Sequence, residues 1–153
     1  MDEARWLDPR EERAWRGLMA MEDALTEFLE RQLRTRDGLS GADYQVLAHL
    51  SEAGGRLRSF ELGALVRWEK SRLSQHLARM EKRGLVVRER CASDQRGCVA
   101  VITLEGTDRI TAAAPQHVGD VRAALIDHLT ADEMEMLARI GEGVTARLGA
   151  PDG

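Results

Sequence analysis

The sequence contains no uninterrupted apolar run near the ~20 residues that a membrane-spanning helix requires. Its first residues, Met1-Asp2-Glu3-Ala4-Arg5, carry acid and lead into no apolar segment, so no signal peptide is expected either. It has no glycine-rich phosphate loop, no zinc-type cysteine pair, and no Ser/His/Asp or Cys/His grouping beyond chance, so nothing points to an enzyme or a cofactor. No internal repeat or low-complexity segment is present. These absences leave the expectation of a cytoplasmic protein with no membrane partner. With 153 residues, 43% of them hydrophobic and 31% charged, the chain is expected to form one domain, or one domain with an appendage, rather than a disordered segment.

Lysine is also scarce. Only Lys70 and Lys82 accompany 20 arginines. Arginine is the better bidentate partner for phosphate and guanine, although genome composition produces the same bias. The net charge of -4 argues against nucleic acid as a partner, but its distribution argues the other way. Between Arg56 and Arg96, eleven bases stand against five acids, a net +6, and the rest of the chain carries -10. Such segregation suggests a basic working surface on an acidic body.

The apolar spacing predicts a helix over 9–36, where Trp15, Leu18, Met21, Leu25, Phe28 and Leu29 recur at three- and four-residue steps before Gly38. Ser40 and Asp43 form a capping-box-like start to a second helix that ends near Glu52. Arg56-Leu57-Arg58 reads as a short extended link. Ser59 is expected to cap a third helix with Leu62, Leu65 and Val66 inward, and a turn at 68–70 leads to a fourth over Ser71–Arg83, stopped by Gly84. The period then changes from 3.6 to 2, predicting strands at 85–91 and 98–104 around a loop at 92–97. Helix returns after Leu104 and is expected to break or kink near Ala114-Pro115. Thr130 and Glu133 form the capping box of a last helix, lined by Met134, Leu137, Ile140, Val144 and Leu148.

The resulting fold class is mainly α with a small β-hairpin wing. Residues 40–104 are expected to form a winged helix-turn-helix, and 9–36 with 105–148 a helical dimerisation region. In a helix-turn-helix the second helix enters the major groove. Here Leu73, Leu77 and Met80 must face the body, which leaves Ser71, Arg72, Ser74, Gln75 and Arg79 as a polar surface suited to base edges and phosphates. A charged helix face is more often merely solvated, and the adjoining hairpin with its basic tip is what favours DNA. Arg96 at that tip is suited to a minor groove, with Asp94 placed to orient its guanidinium, while Asp94 and Gly97 are also ordinary turn residues.

Several runs resemble MarR-type transcriptional regulators: Leu62-Gly63-Ala64-Leu65, Ser71-Arg72-Leu73-Ser74-Gln75-His76-Leu77, and Arg79-Met80-Glu81-Lys82-Arg83-Gly84-Leu85-Val86. The wing Ser93-Asp94-Gln95-Arg96-Gly97, followed by Val101-Ile102-Thr103-Leu104-Glu105-Gly106, is the most specific part. Gln95 stands where the family often has a second arginine. The resemblance implies a homodimeric, nucleoid-associated repressor of double-stranded DNA, reading half-sites ~34 Å apart and released by a small aromatic effector or by oxidation. Ser59, Lys70 and His76 join Ser71, Arg72, Ser74, Gln75, Arg79, Asp94 and Arg96 as the expected DNA-contacting set. The effector crevice the resemblance implies is expected to draw on Trp15, Met19, Tyr44 and His117, although apolar residues at this spacing are more often core.

Cys91 and Cys98 flank the wing loop and would oppose each other, so a disulfide switch is one alternative and a ligand-independent regulator another. The ordinary reading is two reduced thiols. No metal site is expected: His117 and Asp120 share a helix face, but His128 lies ~16 Å further along an unbroken helix. A protein–protein module whose wing binds a partner, and an enzyme or ligand-binding protein reusing the fold, are the competing classes.

Overall fold

The structure, a computed structural model, describes residues 4–90 and 98–149. In chain order it comprises α1 (Pro9–Gln32), α2 (Gly41–Glu52), β1 (Arg56–Arg58), α3 (Ser59–Val66), α4 (Lys70–Lys82), β2 (Val86–Arg90), β3 (Cys98–Ile102), α5 (Leu104–Ala124) and α6 (Ala131–Gly149). The architecture is mainly helical with one small antiparallel sheet. By internal contacts the chain divides at His117/Val118 into two compact units.

In the first unit, Asp8 starts α1 with a capping box: its carboxylate accepts from the Arg10 and Glu11 backbone, and Glu11 accepts from Asp8 N. The helix closes in one π-helical turn, Leu33–Asp37, which the apolar spacing does not signal. Gly38 follows at φ +65°, a left-handed conformation open to glycine at little cost. Ser40 and Asp43 form the expected capping box of α2. The link at 56–58 is a true strand: β1 pairs with β3, and β3 with β2, giving the order β1-β3-β2. Leu57 faces Ala100 across one ladder, and Arg88 faces Ala100 across the other.

Two expectations at α3 are corrected. Ser59 does not cap the helix; it is the first helical residue, Arg58 precedes it, and the Arg58 N–H donates to Glu61 Oε2 at 3.0 Å. Leu65 is exposed, so the inward face is Leu62 and Val66 alone.

The core is built by Leu39, Val46, Leu47, Leu50, Leu62, Leu73, Leu77, Met80, Leu85, Val86, Ala100 and Ile110. α4 ends in a Schellman turn, in which Leu85 N donates to Met80 O at 3.1 Å and Gly84 N to Glu81 O at 3.0 Å, with Gly84 at φ +76°. Thr103 alone separates β3 from α5. Its hydroxyl accepts from Gly106 N at 3.0 Å and donates to Gly84 O at 2.6 Å, so it caps α5 while fixing the end of α4. Gly106 is buried there, so close to the Leu85 carbonyl that a side chain would collide with it.

α5 corrects a third expectation. Of the break or kink expected near Ala114-Pro115, the break is not found: the helix continues through Pro115 to Ala124. In the second unit, a short 3-10 turn at Ile126–His128 leads to the capping box at Thr130 and Glu133 (2.8 and 3.2 Å) that starts α6. α6 has no buried residue, and Met134, Met136, Leu137, Ile140, Val144 and Leu148 are exposed along it. Among the described residues no helix is long and apolar enough to cross a membrane.

Candidate nucleic-acid interface

α3 and α4 form the helix-turn-helix. Their turn contains Arg67 at φ +58°, a non-glycine residue in the left-handed region. α4 buries Leu73, Leu77 and Met80, which leaves Lys70, Ser71, Arg72, Ser74, Gln75 and Arg79 exposed. The fourfold spacing of the buried leucines thus separates an apolar face from a polar one.

The α4 side chains fall into two groups. Lys70, Ser71, Ser74 and Gln75 belong to the open face. Arg72 and His76 are engaged elsewhere. The Arg72 guanidinium lies over the Trp68 ring at 4.4 Å, and the Trp68 and His76 rings meet edge-on at 5.3 Å. His76 is mostly buried, with Nε2 2.9 Å from Asp43 Oδ1 but off the angle of a hydrogen bond. Its Nδ1 lies 3.3 Å from Arg79 Nη2. Arginine can only donate, so Nδ1 is the acceptor in that contact. His76, expected among the DNA-contacting residues, is thus largely covered, its side chain 13% exposed.

Asp43 is 3% exposed. Burial alone would push its carboxyl up. His76, Arg83 (Nη1 to Oδ2, 2.7 Å) and the Ser40 backbone N–H more than reverse this, holding it well below the usual carboxylate range. Glu81 performs a comparable task between α4 and the wing. It accepts from Arg88 N at 2.8 Å and Arg88 Nη2 at 3.3 Å, and these contacts, the backbone one foremost, hold its carboxyl below the usual range. Arg88 also reaches Ser74 O at 3.4 Å, so strand β2 and α4 are tied side by side.

The Ser59 hydroxyl donates to Cys98 O at 2.8 Å and lies 3.2 Å from Cys98 Sγ. Asp94, Arg96 and Cys91 lie outside the described residues, so the wing-tip and disulfide assignments rest on sequence alone.

A crevice of about 380 Å³ opens beside α4, lined by Thr26, Leu29, Glu30, Leu33, Tyr44, Trp68, Arg72 and His117 among others. Tyr44 and His117 stack at 4.2 Å, and burial, with Glu52 nearby, pushes the Tyr44 phenol up. Trp15 and Met19 do not line it. Trp15 is 54% exposed and eleven residues before Thr26, ~16 Å along α1. Sequence reasoning missed Asp43, Trp68, Glu81, Arg83 and Arg88 as parts of this surface. For His76 the sequence did carry a signal: it lies three after Leu73 and four before Met80, beside the buried face.

The sequence pattern of the MarR family matches residues 37–97. The crystal structure of AbsC, a MarR family transcriptional regulator from Streptomyces coelicolor, is 38% identical and superposes with a TM-score of 0.90 over 95% of this chain and 98% of AbsC. The chain belongs to the MarR family. That family is one of transcriptional regulators, not of enzymes. A second MarR structure, Sco3205 from Streptomyces coelicolor in complex with DNA, is also 38% identical, with a TM-score of 0.92 over 98% of this chain and 94% of Sco3205. Transcriptional regulator HosA of Escherichia coli O157:H7 is 40% identical over 72 residues, 46% of this chain and 52% of HosA, so the chain spans about half the length of that MarR relative.

Proposed function

We propose that the protein is a homodimeric repressor that binds a pseudo-palindromic site in double-stranded DNA and is released by a small aromatic ligand. The observation that carries this reading is the exposed row Lys70, Ser71, Ser74, Gln75 and Arg79 on a helix whose opposite face is core. Such a helix presents short polar and Arg/Gln groups, the types that hydrogen-bond base edges and phosphates in a major groove. The similarity to Sco3205, solved with DNA, supports the same use. Arg96 is assigned a minor-groove contact on its sequence context alone.

The uncovered apolar stripe of α6, spaced at three and four residues, supports a second copy as its partner, since water is a poor neighbour for Leu137, Ile140 and Val144. The crevice beside Arg72 has the size and the aromatic, cation-bearing wall to hold a small aromatic anion. The test is binding of purified protein to a randomised duplex pool. Enrichment of one sequence, with affinity falling steeply as salt rises, supports the reading. Gln75→Ala should alter discrimination by about 1–3 kcal/mol at one base position, and Arg96→Ala should weaken binding to most sequences. Capture of protein partners with no sequence enrichment would overturn it.

A further inference from the structure

Among the described residues Asp43 is the one buried charged side chain, and it meets α4 at two places. His76 Nε2 lies 2.9 Å from Oδ1 and Arg83 Nη1 donates to Oδ2 at 2.7 Å. His76 and Arg83 are seven residues apart, two turns of helix, so one carboxylate touches α4 at its middle and at its C-cap. The second Arg83 nitrogen donates to Gly38 O at 2.8 Å, at the corner where the π turn leads into α2. At the same corner Arg109 of α5 donates to Asp37 O at 2.9 Å. Asp43 is itself fixed, because it shares a reciprocal capping box with Ser40 (2.9 and 3.0 Å).

The remaining hold on α4 is apolar. Leu73, Leu77 and Met80 resist its removal from the core, but such contacts are non-directional and leave roll and slide weakly defined. The short charge-assisted bond from Arg83 to Asp43 is directional, and the close approach of His76 Nε2 to the same carboxylate adds a second fixed point. Phosphate contacts tolerate a small displacement of a long cationic side chain, whereas a base-edge hydrogen bond weakens steeply off its preferred distance and angle.

We propose that Asp43 is a positioning residue for sequence recognition: through His76 and Arg83 it sets the tilt and register of α4, and so determines where Gln75 and Arg79 fall along the base pairs. The inference rests on the reading of α4 as the DNA-contacting helix. Its signature is loss of discrimination without matching loss of general affinity.

The experiment uses the full chain. Wild-type protein selects its preferred duplex from a randomised pool. Kd is then measured on that duplex and on a scrambled one for wild type, Asp43→Asn and Arg83→Lys, at one salt concentration and at a temperature where circular dichroism shows each folded. In Asp43→Asn the scrambled-to-selected Kd ratio should fall about tenfold or more, with the scrambled Kd within about twofold of wild type or tighter. Arg83→Lys keeps the charge but replaces the fork with one amine that cannot span both Asp43 and Gly38, so it should lose part of the ratio. If Asp43→Asn does not fold, Arg83→Lys decides. An unchanged ratio in a folded variant overturns the proposal, and so does equal weakening on both duplexes, which marks a residue needed only for folding. A wild type that enriches no sequence is a different failure and overturns the DNA reading itself.

Discussion

The guanidinium of Arg72 lies over the indole of Trp68, its central carbon 4.4 Å from the ring centre. An arginine of α4 thus rests on the turn that precedes the helix. A double-mutant cycle of Arg72→Ala and Trp68→Leu, read by denaturant unfolding, should give a coupling of about 0.5–1 kcal/mol. Additive effects would show that the stack contributes nothing.

The Asp43 contacts carry a pH signature. Its folded-state carboxyl lies below the ordinary value, so in acid the unfolded chain binds a proton more readily than the folded one. The stabilisation is therefore complete above an unfolded carboxylate pKa of about 4 and is lost as pH falls through the depressed folded value. Asp43→Asn should cost about 1–3 kcal/mol at neutral pH and progressively less in acid. Thermal melts of both proteins from neutral pH into acid check this, and parallel curves would contradict it.

Arg67 occupies left-handed backbone at the helix-turn-helix turn. Arg67→Gly should raise stability by about 0.5–1 kcal/mol, because glycine enters this region without a Cβ penalty, less what it adds to the freedom of the unfolded chain. Equilibrium unfolding in urea measures the change, and a loss of stability would mean the side chain contributes more than the backbone strain costs.

Gly106 is buried in the first turn of α5 beneath the Leu85 carbonyl. Gly106→Ala improves helix propensity yet should destabilise by about 1–3 kcal/mol through overpacking. An unchanged melting temperature would show that β3 and α5 separate easily.

The proposed dimer depends on α6. Ile140→Glu places a charge in its apolar stripe and should shift the sedimentation coefficient from dimer to monomer with helix content retained. A variant that remains dimeric would locate the interface elsewhere.

Local signals in the sequence foretold most elements. The Ser40/Asp43 and Thr130/Glu133 boxes were visible because capping is written in residues three apart, and the Gly84 stop because left-handed backbone favours one residue type. What could not be seen depended on distant partners. Arg56-Leu57-Arg58 becomes a strand only because β3 lies beside it. Pro115 reads as a break, yet α5 continues through it. On the candidate surface, the open face of α4 followed from its period, whereas the Asp43–Arg83 bridge joins residues forty apart, and no local pattern announces it.

Thr103 is the whole connection between the third strand and α5. A junction this short has no slack. Its amide donates to Leu85 O, and its hydroxyl donates to Gly84 O and accepts from Gly106 N, so one residue ties the end of α4, the end of β3 and the first turn of α5 at a single point. With Gly106 closed against the Leu85 carbonyl, even a methyl group has no room at that point.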